Sequence, residues 1–234
     1  MRKFKIDIYA DGANEKDMYL MNKNKLISGM TTNPSLMKKS GIKNYKKFAK
    51  KILKKIKKKP ISFEVFADEF DEMEKQAYEI NGWGKNIFVK IPITNSKGKS
   101  SKKLIKKLLN KKIKLNITAI MTLTQIKKLM SLNFKSECIL SVFCGRIADS
   151  GVDPKITIKA AKKIIKNKKN IKLLWASCRE LYSIMEAEKI GCDIITVPND
   201  MLKKINLFGK NLKKYSLETV KDFYRDAVNA GFKI

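Results

Sequence analysis

The 234 residues contain no histidine. That absence removes serine–histidine and cysteine–histidine nucleophiles and leaves a zinc ion no imidazole ligand. Arginine is nearly as scarce, with Arg2, Arg146, Arg179 and Arg225 standing against 48 lysines. The four cysteines, Cys138, Cys144, Cys178 and Cys192, make no CxxC pair, and two lie in apolar runs. They read as buried thiols in a reducing compartment, not as disulfides. No stretch approaches membrane-span length, and the N-terminus MRKFKIDIYAD reaches an aspartate where a signal peptide would have its apolar core. The expectation is a cytoplasmic protein with no membrane partner. No linker rich in proline, glycine or serine divides the chain, so residues 1–234 read as one domain. Chemistry is left to Lys, Asp, Glu, Ser, Thr, Tyr and Cys.

Acidic residues are few as well, 22 against 52 basic ones, for a formal net charge of +30. Such a field attracts polyanions at low salt, and a basic nucleic-acid-binding protein is one reading of it. The lysines, however, are spread mainly over expected helix faces and loops, as on a solvated surface, so no specific nucleic-acid partner is expected.

What the chain does have is rhythm. Eight short apolar runs recur: FKIDIYA (4–10), LISGMTT (26–32), ISFEVFA (61–67), NIFVKIP (86–92), KLNITAI (114–120), CILSVFC (138–144), IKLLWAS (171–177) and DIITVP (193–198). Between them lie segments of helical period, clearest at Phe70, Met73, Ala77 and Ile80, whereas those before Gly29 and Pro60 are less regular. Asp153-Pro154 supplies an N-cap and a first-turn proline ahead of Ile158, Ala161 and Ile165. Eight strand–helix units at about 29 residues each suit a (β/α)8 barrel. A doubly wound open sheet is the alternative, weakened by ADGANEK standing where a GxGxxG turn would follow the first strand. An additional C-terminal helix, 216–229, carries Leu217, Val220, Phe223 and Ala227 on one stripe and stops before Gly231. It could cap the barrel or pack on a neighbouring subunit.

One residue interrupts the most apolar strand. In NIFVKIPIT, side-chain alternation sets Phe88, Lys90 and Pro92 on one face and Ile87, Val89 and Ile91 on the other. A lysine among apolar neighbours loses water around its ammonium, which favours a free amine able to attack a carbonyl and form a Schiff base. The plain alternative is a lysine snorkelling from a strand end. Barrel active sites form at the C-terminal strand ends. Those ends offer Asp11, Thr31 with Asn33, Glu64, Lys90, Asn116 with Thr118, Ser141 beside Phe143, and Ser177 with Arg179. Singly, Asp11, Ser177 and the Thr31–Pro34 stretch also fit helix caps or a turn. A polar ring drawn from seven strands points to a ligand, because buried polar groups cost stability unless paired. Arg146 and Arg179, two of only four arginines, stand just past neighbouring strands, where a guanidinium can grip phosphate in a bidentate way. Cys178 reads as an inert thiol, with no histidine to activate it.

The motifs DGAN (11–14), TTNPSLM (31–37), SFEVFAD (62–68), VKIPIT (89–94), LNITAIMT (115–122), SVFCGRIADSGVDP (141–154) and LLWASCRE (173–180) closely resemble the transaldolase family over nearly the whole chain. The resemblance implies a class I aldolase-type (β/α)8 barrel that needs no metal or organic cofactor. It also implies Lys90 as the Schiff-base lysine, Asp11 as the acid/base of carbon–carbon cleavage, and Glu64 acting through a water held with Thr118. Asn33, Asn116 and Ser141 are similar to residues that hold dihydroxyacetone hydroxyls, and Arg146, Ser177 and Arg179 to a sugar-phosphate grip. Thr31 and Phe143, in the same motifs, are implied as further substrate-binding residues. The implied activity is transfer of dihydroxyacetone between sugar phosphates, with fructose-6-phosphate aldolase as the alternative. That alternative typically carries glutamine on strand three and tyrosine on strand six, where this chain has Glu64 and Phe143. Val142 departs from the proline common in the pattern. Short members resemble ring-shaped homo-oligomers, often decamers, whose C-terminal helix packs on a neighbour.

Overall fold

Each of the eight apolar runs carries one strand, the first strand reaching one residue past its run to Asp11. The computed structural model describes residues 3–234. Met1 and Arg2, one of the four arginines, lie outside the described residues. The strands are β1 (Asp7–Asp11), β2 (Ile27–Thr31), β3 (Ile61–Glu64), β4 (Ile87–Pro92), β5 (Leu115–Ile120), β6 (Cys138–Val142), β7 (Ile171–Trp175) and β8 (Ile194–Pro198). They pair in parallel and in chain order, and β8 closes on β1 from Asp7↔Ile194 to Asp11↔Pro198. That closure rules out the open sheet: this is a (β/α)8 barrel.

The helices follow as α1 (Glu15–Lys23), α2 (Pro34–Lys39), α3 (Tyr45–Lys55), α4 (Phe70–Asn81), α5 (Lys102–Asn110), α6 (Leu123–Leu129), α7 (Cys144–Asp149), α8 (Pro154–Ile165), α9 (Ser183–Lys189), α10 (Asn199–Leu202) and α11 (Leu212–Ala230). The expected stripe of α4 is real, with Met73, Ala77 and Ile80 buried. Asp153 caps α8 by accepting the Lys155 backbone N–H at 2.9 Å, and Pro154 opens the helix. In α3, six lysines interleave with buried Phe48, Ala49, Ile52 and Leu53, which is why its period was faint in the sequence. All four cysteines are buried and free.

Alternation sorts the strand residues into two environments. Ile87, Val89 and Ile91 are almost wholly buried between sheet and helices, where burying apolar surface gives the main driving force for folding. The opposite faces point into the barrel, and its lower interior is filled by Tyr9, Phe88, Ile139, Leu174 and Ile194. Tyr9 needs room to lie there, and Gly29 on the adjoining strand provides it: a Cβ at that position would fall 2.5 Å from the Tyr9 ring. β3 ends at Glu64, so Phe66 does not continue its inward face but lies exposed, its ring 5.5 Å from that of Tyr45.

α11 starts four residues earlier than the sequence suggested and runs to Ala230, with Gly231 as its C-cap. None of its 19 residues is buried. The helix therefore does not cap its own barrel, and Leu217, Val220 and Phe223 face outward. Among the described residues, no helix is long and apolar enough to cross a membrane.

Candidate active site

Above the apolar layer the barrel interior turns polar. Thr31, Ser62, Lys90, Asn116, Thr118, Ser141 and Thr196 are all buried, each contributed by an inward position near the C-terminal end of its strand. Buried polar atoms need partners, and most here find them in one another. Asn116 donates from Nδ2 to Ser62 Oγ at 3.0 Å and accepts from Ser141 Oγ at 2.6 Å. Thr31 Oγ1 lies 2.6 Å from Asp11 Oδ1 and 2.5 Å from Thr196 Oγ1. The exception is Thr118, whose Oγ1 is buried without a partner. A bulge sets that side chain apart: β5 and β6 slip register between Ile117 and Ile120, and Ala119 takes a left-handed φ of 61°.

Lys90 is 6 % exposed. The snorkelling alternative fails, because its ammonium stays inside, 3.0 Å from Glu64 Oε2 and 3.0 Å from the Thr32 carbonyl. Glu64 and Lys90 are direct partners across β3 and β4. Tyr45, from α3, fixes Glu64 by its backbone, accepting the Glu64 N–H at 2.9 Å and donating to its carbonyl at 2.8 Å. Asp11 does not cap α1, a role taken by Asn14. Burial pushes the Asp11 carboxyl above the ordinary aspartate range, against the opposing pull of Lys90 and the Thr31 hydroxyl.

A cavity of about 190 Å³ opens over this layer. Of the twelve residues singled out from the sequence, ten line it; Glu64 and Asn116 stand behind, Glu64 on Lys90 and Asn116 between two serines. Asn33 does cap α2, accepting the Leu36 N–H at 2.9 Å, while also facing the cavity. Ser177 caps no helix; it adopts a left-handed φ of 61° just past β7. The turn after β6 can pass it only because residue 145 is glycine, since a Cβ there would fall 1.6 Å from the Ser177 carbonyl oxygen. Arg146 stacks over the Phe143 ring at 5.6 Å. Arg179 is held by the Asp149 carboxylate, with Nε at 3.0 and 3.2 Å and Nη2 at 2.5 Å. Cys178 lines the same wall, its thiol pushed up to about 11 mainly by burial, as an inert thiol should be. Among the described residues, no group of three or more cysteines or carboxylates is placed to hold a metal.

The family model for Transaldolase/Fructose-6-phosphate aldolase matches residues 8–234. The chain belongs to the transaldolase/fructose-6-phosphate aldolase family. A probable transaldolase of Nitrosopumilus maritimus is 33 % identical over 231 residues, covering 97 % of this chain and 99 % of that protein. A probable transaldolase 2 of Listeria monocytogenes is 32 % identical over 198 residues, covering 84 % and 87 %. The fold is shared more widely. The tryptophan synthase A-subunit of Pyrococcus furiosus superposes with a TM-score of 0.59 at 12 % identity, over 91 % of this chain and 96 % of that one. A mandelate oxidase mutant gives 0.58 at 11 % identity, over 97 % and 76 %.

Within this family barrel, several cavity neighbours escaped the sequence reading. Thr196 was within reach of it, since alternation from Ile194 sets it inward. Asp149 sits three residues past Arg146 in the SVFCGRIADSGVDP stretch, but its partner is Arg179, thirty residues away. Tyr45 gave no local signal, because its hydroxyl matters only through the crossing of α3 over β3.

Proposed function

We propose that this family enzyme is a transaldolase of the pentose phosphate pathway. It transfers a dihydroxyacetone unit from sedoheptulose 7-phosphate or fructose 6-phosphate to glyceraldehyde 3-phosphate or erythrose 4-phosphate, without cofactor, in the cytoplasm. The observation that carries this reading is the buried Lys90 ammonium in contact with Glu64 beneath a polar cavity.

Glu64 takes a proton from the Lys90 ammonium, and the freed amine attacks the ketose C2 carbonyl. Water leaves through Glu64 and a water molecule held at Thr118, giving a protonated imine. Asp11 accepts the C4 hydroxyl proton as the C3–C4 bond breaks, the bonding pair passes into the iminium, and the aldose phosphate departs. The enamine then attacks the acceptor aldehyde, Asp11 returns the proton, and hydrolysis frees Lys90. Asn33 and Ser141 hold the dihydroxyacetone hydroxyls, with Asn116 positioning Ser141 from behind and Thr31 orienting Asp11. Arg146, Ser177 and Arg179 bind the phosphate. Residues 1–234 act as one domain, and α11 packs on a second copy of the chain in a homo-oligomer.

Borohydride reduction in the presence of fructose 6-phosphate, followed by peptide mass spectrometry, is the direct test. A mass gain is expected on the peptide containing Lys90 and is expected to vanish in Lys90→Arg. An adduct retained in that variant refutes the assignment.

A further inference from the structure

The opposite mouth of the barrel holds a second, larger cavity of about 700 Å³, a volume within the ordinary range of ligand sites. It opens at the N-terminal strand ends, and the apolar layer containing Tyr9, Phe88 and Ile139 separates it from the polar cavity. Six lysines line it: Lys57, Lys58, Lys85, Lys114, Lys169 and Lys172. They come from the approaches to β3, β4, β5 and β7 and from β7 itself, so they surround the opening instead of following one helix.

Two carboxylates share this wall and both are engaged. Glu137 pairs with Lys114 at 3.0 Å and Asp7 with Lys172 at 3.4 Å. Lys57, Lys58, Lys85 and Lys169 have no acidic partner among the described residues, which leaves four positive charges facing one concavity. A concave wall with a net charge of one sign focuses its field more than the same charges on a flat surface. Lysine ammoniums act as point charges toward phosphate oxygens.

We infer that this mouth binds a compact anion carrying several phosphate groups. A nucleic-acid strand would need cations along an extended groove, whereas these converge on a single opening. The inference is independent of the reaction above, because binding is measured without a substrate.

Tripolyphosphate titrated into the full chain by calorimetry in 0.15 M salt provides the test. One anion should bind per chain. Lys58→Gln/Lys85→Gln/Lys169→Gln should weaken binding at least tenfold, while a control triple of exposed lysines elsewhere, Lys106→Gln/Lys128→Gln/Lys163→Gln, should change it less than twofold. The basal triple should keep the borohydride-trapping rate, and tripolyphosphate should not slow trapping. Thermal melts check both triples, and the single variants Lys85→Gln and Lys169→Gln decide the matter if the basal triple is unfolded. Absent binding, equal weakening by both triples, competition with the sugar phosphate, or tighter capture of a single-stranded oligonucleotide through the same lysines would each overturn the proposal.

Discussion

Lys90 and Glu64 face each other in register on neighbouring strands, Nζ to Oε2 at 3.0 Å, with side-chain exposures of 7 % and 18 %. A buried ion pair offsets the cost of taking two charges out of water only when its geometry is good and the remaining donors are satisfied. The Thr32 carbonyl satisfies one further ammonium proton. The same contact puts the carboxylate where it can relieve the amine of the proton that blocks its lone pair. Glu64→Gln keeps the shape and removes the base. Imine formation should slow by about 10²–10⁴-fold, the usual worth of a positioned general base, and the Tm should fall because Lys90 loses its counter-charge. Single-turnover borohydride trapping measures the rate; an unchanged value would remove Glu64 from the proton path.

Asp11 carries a pH signature. Its folded-state pKa is raised, chiefly by burial, so the native state binds more protons than the unfolded chain in the window above the ordinary aspartate value. Stability is then lost as pH rises through that window, and the full penalty persists above it. Asp11→Asn removes the penalty. The Tm of the variant relative to wild type should be more favourable at pH 8 than at pH 4.5, while cleavage falls by about 10²–10⁴-fold and the Schiff base still forms. Equal Tm differences at the two pH values would contradict this account of Asp11.

The sequence exposed what depends on alternation and on strand ends. Lys90, Asn116, Thr118 and Ser141 follow from a period of two once the strands are recognised. The barrel follows from eight such runs. Contacts between distant segments were hidden, such as the Tyr45 clamp on Glu64 and the Asp149 hold on Arg179, because they depend on how helices cross strands. β3 stops at Glu64 although ISFEVFA stays apolar past it, because the Phe66 and Ala67 backbone amides turn to the Gln76 side chain at 2.9 and 3.0 Å.

The Arg179–Asp149 pair is about half exposed on each side, so its worth to stability is within about 1 kcal/mol. Its value lies in aiming the guanidinium. Asp149→Asn should leave the Tm nearly unchanged and raise KM for phosphorylated sugars several-fold with kcat retained. Arg179→Ala should raise that KM by about tenfold or more, the loss of a charge-assisted contact, with a smaller effect on nonphosphorylated analogues. Equal losses on both substrate types would remove Arg179 from the phosphate grip.

α11 presents Leu217, Val220 and Phe223 at 55–69 % exposure along a 19-residue helix with no buried residue. An apolar stripe of that length on an unpartnered helix is a packing face. Val220→Asp/Phe223→Asp should lower the sedimentation mass of the assembly and leave the barrel's circular dichroism intact. A monomeric wild type, or an unchanged assembly in the variant, would refute the role of α11 in subunit packing.

In the proposed reaction, transfer and release compete for one intermediate. Dihydroxyacetone is released when the enamine carbon is protonated and water attacks the resulting imine, and transferred when the enamine survives until an aldehyde arrives. Phe143 lines the cavity beneath Arg146 and brings no hydroxyl to that wall; the hydroxyl that could hold or activate a water near the imine is absent there. Glu64, in direct contact with Lys90, remains, so on the proposed mechanism hydrolysis is expected to be slow but not abolished. Transfer to erythrose 4-phosphate should therefore outrun dihydroxyacetone release by about tenfold or more, and Phe143→Tyr should raise the release rate by supplying a donor and acceptor. Coupled assays for sedoheptulose 7-phosphate and for free dihydroxyacetone, run side by side on wild type and variant, give both rates. A wild type that releases dihydroxyacetone as fast as it transfers it would make the enzyme a fructose-6-phosphate aldolase, with Lys90 and Asp11 keeping their roles, a proton taking the aldehyde's place at the enamine carbon, and water then hydrolysing the imine.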